Sequence, residues 1–327
     1  MDPVRFVIQT IINGVAVGSV YGLFALGYTL IFGTLEIINL AHAAVFMMGA
    51  FFSLSLAQGT TIWGLLDPPL RLPLGVAFVL GSLGAGLLGI LIERVAFRAL
   101  RRRPATPLTT LISSIGVALF LVNLAQLRFG ADDQRFQVRW FPDWLRENAP
   151  QWSWIIPGSR FRLAQVRIGP AQVQMLDLII LLVAVGLMLA LWFAINRSKV
   201  GKAIRAVAES PRTASLLGID VDRIIMTTFF VASALGGAAG VLVGMKNNVS
   251  PFMGQVPGLK ALAVIVLGGL GDITGAMLGG LVMGIAEVLT QAAGLASWSD
   301  AVAFGVMFLI LVARPQGLLG RAREQRA

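Results

Sequence analysis

Apolar residues run along the chain in blocks of about 20, divided by short charged stretches, and about 20 is the number a helix needs to cross a bilayer core of about 30 Å. The pattern predicts helices over about 7–32, 40–57, 72–92, 109–127, 176–195, 223–245, 257–271, 273–293 and 300–313. Segment 257–271 is short and closes on Gly268, Gly269 and Gly271, and segment 40–57 reads as either crossing or re-entrant, so the spans number about eight or nine. The fold class that follows is all-α: a polytopic integral membrane protein with some broken or re-entrant helices. One transmembrane unit covers 1–327, with connecting segments at 128–175 and 196–222 and a tail at 314–327. The opening MDPVRFVIQT reads as the start of a span rather than a removable signal peptide.

Orientation follows from the basic residues. Segment 93–108 holds Arg94, Arg98, Arg101, Arg102 and Arg103, and segment 196–223 holds Arg197, Lys199, Lys202, Arg205, Arg212 and Arg223. The loop 128–175 also carries seven arginines, but it lies one span from both segments and must face the opposite side. The two segments hold eleven basic residues in fewer positions, which places them and the tail in the cytoplasm and the 128–175 loop outside. Trp140, Trp144, Trp152 and Trp154 in that loop suit either a surface element at headgroup level or a packed cap.

Composition narrows the function. The chain is 57% hydrophobic and 13% charged, against about 25% charged in soluble domains, and no stretch outside the apolar blocks is large enough for a soluble catalytic domain. The net charge of +10 is explained by loop residues that set topology and meet anionic headgroups, so no nucleic-acid partner is expected. With no cysteine and one histidine, His42, thiol chemistry and a histidine metal cluster are excluded, and no cofactor is expected. No G-x-x-x-x-G-K-[ST] occurs, so any ATP used must be bound by another chain.

Four features can carry mechanism. Residues 197–223 form a polar, basic connection in which Val200, Ala203, Ile204, Val207 and Ala208 fall at helical spacing. Pro211 restricts Ser210 and ends that helix, and Ala214, Leu217 and the Gly218 stop mark a second. Such a pair can rest on the membrane surface or dock into a partner. In residues 32–50, Glu36, Asn39 and His42 interrupt apolar sequence at a spacing of three, which would put them on one helix face lining a path or making structural hydrogen bonds. Residues 258–280 hold Gly268, Gly269, Gly271 and Asp272, either a helix break bordering a substrate path or a tight turn at one membrane face with Asp272 capping the next helix. Glu287 sits within a span; with no basic partner in any span centre it would stay protonated, structurally hydrogen-bonded or lining the path. Gly14, Gly18 and Gly22, then Gly81, Ala85 and Gly89, then Gly236, Gly240 and Gly244 repeat small residues at four, which predicts close helix packing.

The segments GLFALGYTLIFGTLEIINLAHAAVFMMGAF, GKAIRAVAESPRTASLLGIDVDR, LKALAVIVLGGLGDITGAMLGG and SDAVAFGVMFLILVARPQGLLG, in this order, resemble the LivH-type permease subunit of branched-chain amino-acid ABC importers. The likeness runs from about residue 7 to 320, is weakest in loop 128–175, and departs from the family's pattern at Asp272, where the family carries Ser or Thr. It implies a transport subunit, not an enzyme, in the bacterial inner membrane with its C-terminus cytoplasmic. The implied partners are two cytoplasmic ABC ATPases, a second permease of the LivM type, a periplasmic binding protein, a small-molecule substrate and membrane lipid. It also implies that Gly201, Arg205, Ala206, Glu209 and Gly218 couple the permease to the ATPase. Similar permeases carry urea or short amides, and a stand-alone secondary transporter is the rival architecture.

Overall fold

The structure is a computed structural model that describes residues 3–59, 71–101, 106–136, 165–168 and 171–320. Helices α1 (Pro3–Leu35), α2 (Ala41–Gln58) and α3 (Leu74–Ile92) come first. A π-helical turn, Glu93–Phe97, carries α3 on into α4 (Arg98–Arg101), and α5 (Pro107–Phe129) follows. After a short antiparallel ribbon, β1 (Gln165–Ile168) and β2 (Ala171–Gln174), come α6 (Met175–Arg197) and two short helices, α7 (Lys199–Glu209) and α8 (Pro211–Leu216). The chain closes with α9 (Val221–Lys246), α10 (Gln255–Gly268), α11 (Ile273–Ala292) and α12 (Ser299–Ala313).

Eight helices among the described residues are long and apolar enough to cross a membrane, and α10, at 14 residues, is not. The ribbon is a small departure from the all-α expectation, in the loop whose four tryptophans lie outside the described residues. Helices α1, α2 and α9 are mostly buried, and α3, α5, α6 and α12 expose broad apolar faces. That inversion, with leucines such as Leu87, Leu119 and Leu182 outward, is what lipid as a solvent permits.

Small residues set the approach of the central helices. A Cβ at Gly18 would stand 2.8 Å from the Gly280 carbonyl, and one at Gly49 would stand 2.3 Å from the Gly237 Cα. The glycine repeats at 14–22 and 236–244 therefore do pack helix on helix, α1 on α11 and α9 on α2, as their spacing predicts. Helices α3, α6 and α12 end, and α5 begins, at one end of the bundle, where Arg94, Arg98, Arg101, Lys202, Arg212, Arg223 and Arg314 collect. Lys246 and its 2.7 Å ion pair with Asp177 mark the other end.

Candidate functional site

Two helices start inside the bundle rather than at its ends. Residues Glu36–Leu40 leave the basic end of α1 and turn back inward, where the Leu40 N–H donates to Ser114 Oγ at 3.2 Å. Glu36 takes φ 55°, a left-handed conformation that L side chains adopt at a cost, and so breaks the helix. Helix α2 then begins at Ala41. From the opposite end, Val249 pairs with Gln134 after α9, and the chain descends through Ser250–Gly254 to the start of α10. Gly254 is 14 residues, about 21 Å, above the end of α10 at Gly268, well within a core of about 30 Å. The two helix starts meet there: a Cβ at Gly254 would lie 2.1 Å from the Ala43 carbonyl, and one at Gly258 would lie 2.7 Å from the Ala43 Cβ. Within this irregular backbone Asn39 and Gly254 are buried in protein, whereas Ile38 and Phe252 beside them are exposed.

The sequence-derived residues separate on this frame. Glu36 and Asn39 lie in the break, so the shared helix face expected for Glu36, Asn39 and His42 does not exist. Glu36 is exposed at the basic end, whereas Asn39 is buried and its Oδ1 accepts the Ala41 N–H at 3.1 Å, helping to start α2. His42 is fully buried. Its ring is wedged between Gly27 and Gly236, stacks on Phe24 at 5.3 Å and meets the Tyr28 ring edge-on at 4.6 Å. The His42 nitrogens and the Tyr28 hydroxyl are sealed from solvent, with the Phe24 backbone as the ring's neighbour and the Ala43 backbone as the hydroxyl's.

Gly268, Gly269 and Gly271 sit at the basic end, not at the junction. They form the tight turn from α10 to α11, with Asp272 Oδ1 accepting the Gly275 N–H at 2.7 Å to cap α11. Gly269 takes φ 107° against Gly320, and the N–H groups of Leu318 and Leu319 satisfy the terminal carbonyls of Leu267 and Gly268. The tail thus closes the end of α10.

Glu287 corrects a second expectation, because a basic partner is present. Lys260 Nζ lies 2.9 Å from Glu287 Oε2, 2.7 Å from Asp300 Oδ1 and 3.3 Å from the Tyr21 hydroxyl, which itself donates to Glu287 at 2.9 Å. Lys260 stands early in the apolar run 257–271, and the re-entrant start of α10 carries it inward.

In the basic connection, α7 ends at Glu209 and Ser210 caps α8, its Oγ accepting the Thr213 N–H at 3.2 Å. Ile204 and Val207 are buried. Gly201 is also buried, against the carbonyls of Ala194 and Ile195, and Arg205 donates to the Ile195 carbonyl, so both tie α7 to the end of α6. Glu209 and Gly218 are exposed, Ala206 is half-buried, and Gly218 turns the chain with φ 81°. The most exposed apolar residues of the loop are Leu216 at 81% and Leu217 at 75%, which an amphipathic reading of α7 overlooks. The loop is bolted to α4 by a network absent from the sequence reading. Glu93, fully buried in the π turn, binds Arg101 at 2.7 Å, and Arg101 also binds Asp222 at 3.1 Å in the first turn of α9. Glu93, Arg101, Thr110 and Ile225 border a cavity of about 210 Å³ beside it.

The family model for the permease component of the branched-chain amino acid transport system matches residues 10–311. The chain belongs to this family. It is 36% identical over 322 residues to the high-affinity branched-chain amino acid transport system permease protein LivH of Escherichia coli K12, covering 98% of each chain. It is 34% identical to the corresponding permease protein BraD of Pseudomonas aeruginosa over 327 residues and the whole of both chains. A probable LivH of Methanocaldococcus jannaschii is 26% identical over 308 residues. For a branched-chain amino acid permease, broken helices meeting inside the bundle and a basic two-helix loop at one end are the two features that need a functional account.

Proposed function

We propose that the chain is the membrane-spanning permease of an ATP-driven importer of branched-chain or related amino acids in the bacterial inner membrane, working by alternating access. The basic end is cytoplasmic, in accord with the excess of Lys and Arg there. The observation that carries the reading is the α7–α8 loop: a basic projection with two bare leucines, fixed to α6 by Arg205 and to α4 through Asp222. Apolar residues this exposed beside Arg212 and Arg223 fit a groove on a partner, and the chain holds no phosphate-binding loop of its own. ATPase closure moves this loop, the Glu93 network passes the motion to α4 and α9, and the helix starts near Ala43 open to one side and then the other. The ATPases, a second permease and a periplasmic binding protein complete the machine.

The test is affinity purification in mild detergent of the wild-type chain and of Leu216→Ser/Leu217→Ser, with mass spectrometry of bound chains. The wild type should bring down two ATPase chains and a second permease, and the variant should lose the ATPases while keeping the permease. Equal ATPase recovery with both chains would remove the docking role from α8.

A further inference from the structure

We propose that the cavity beside the Glu93 network is a second amino-acid site, reached from the basic end, where a zwitterion with an aliphatic side chain binds and brakes the transport cycle. The braking role rests on the permease reading above; the site itself rests on two observations. The first is the cavity, about 210 Å³ between the end of α1, the π turn, α4 and the starts of α5 and α9. Sites for drug-sized ligands run to about 300–1,000 Å³, so this one suits a molecule of amino-acid size. The second is a pair of orphaned atoms on the residues that border it. Glu93, fully buried, meets Arg98 and Arg101 through Oε1, and Arg101 meets Glu93 and Asp222 through Nη2. Glu93 Oε2 and Arg101 Nη1 are buried with no hydrogen-bond partner. Buried polar atoms nearly always have one.

The two orphans select the ligand. One is an acceptor and the other a donor, so a free anion would leave Glu93 unmet and a free cation would leave Arg101 unmet. An α-amino acid answers both, its ammonium donating to Glu93 Oε2 and its carboxylate accepting from Arg101 Nη1. Glu93 and Asp222 already face Arg98 and Arg101, and a ligand of no net charge keeps that balance, as buried charges require. Leu35, Ile37, Phe97, Leu100 and Ile225 also border the cavity and suit an aliphatic side chain. Arg101 keeps 25% of its side chain exposed, so an incoming carboxylate meets it first, and the turn of that long side chain opens the way to Glu93. The placement gives the effect. A π turn interrupts the regular helix ladder and recurs at functional sites. Here it and the first turn of α9 are the two sides that the network joins. A ligand wedged between them holds the network in one arrangement and resists the motion that ATPase closure drives. Amino acid accumulating on the cytoplasmic side thus slows its own import.

The experiment takes the whole complex of permeases and ATPases in detergent, without the binding protein, and reads its thermal unfolding midpoint with three probes. These are L-leucine, isocaproate, which lacks the ammonium, and isoamylamine, which lacks the carboxylate. L-leucine should raise the midpoint, as a ligand of the folded state does, and the other two should leave it level. Leu100→Trp fills the cavity. It should abolish the rise while ATP-driven leucine uptake in proteoliposomes, with the binding protein present, stays at the wild-type rate. Leucine added on the ATPase side should slow that uptake in the wild type and leave Leu100→Trp unslowed. Equal shifts from all three probes, no shift from leucine, or a leucine shift that survives Leu100→Trp would overturn the site. Wild-type uptake that ATPase-side leucine does not slow would overturn the brake. Failure of the wild-type complex to move any amino acid would overturn the permease reading and the brake with it, whereas a leucine shift lost in Leu100→Trp would still uphold the site.

Discussion

Lys260→Met takes one charge out of a sealed cluster. The Lys260 and Glu287 side chains are 5% and 10% exposed, and their contact is 2.9 Å. Removing one partner of such a pair costs about 3–5 kcal/mol, because the other charge is left uncompensated. The contact with Asp300 adds little, since that carboxylate is 55% exposed and exposed pairs are worth about 0–1 kcal/mol. Met keeps most of the apolar stem, so the loss reports the charge and not a cavity. The double variant Lys260→Met/Glu287→Met removes both charges. Its residual cost is about 1 kcal/mol, for the Tyr21 hydroxyl that loses its acceptor. The assay is the thermal unfolding midpoint of the purified protein in detergent, with exposed Lys202→Met as the control. The single variant should fall well below the control and the double variant should recover most of the difference. A double variant whose loss equals the sum of the Lys260→Met and Glu287→Met losses would show that the two residues do not act as a pair, and the argument would fail.

Gly27→Ala would place a Cβ 2.2 Å from His42 Nε2. The ring must leave its seat, so the variant should lose about 1–3 kcal/mol, the range for overpacking, read as a lowered midpoint together with lost uptake. Gly269→Ala combines φ 107° with a Cβ 2.6 Å from the Gly320 nitrogen; it should release the tail, seen as faster proteolysis near residue 317 in an otherwise folded protein.

What the sequence made legible was whatever depends on local pattern. Apolar block length located the long helices because lipid demands it over each block separately. Ser210, Pro211 and Gly218 set the ends of α7 and α8 because capping and turn preferences act within a few residues. The glycine repeats found their partners because four-residue spacing stays on one helix face. The misses share a cause. Lys260 and Arg101 take their meaning from residues 27 and 121 positions away, namely Glu287 and Asp222. No helical period reports such pairings.

The error over Glu36, Asn39 and His42 has the same origin. A spacing of three puts residues on one face only if the helix continues, and here it stops: Glu36 takes a left-handed backbone and Asn39 turns to start a new helix. The turn is built on one side from α1 and on the other from α10, whose entry after α9 is equally irregular. Two interruptions distant in the chain that close on each other through Ala43 are not two separate defects. Each helix start is satisfied locally, α2 by Asn39 and Ser114 and α10 by the Phe252 and Gly254 carbonyls. Together they close on the ring cluster of Phe24, Tyr28, His42 and Phe46, packed by glycines at 27, 236 and 258. Continuous helices would meet the membrane's demand for backbone hydrogen bonds more simply, and under the proposed alternating-access reading the paired breaks are where the helices open.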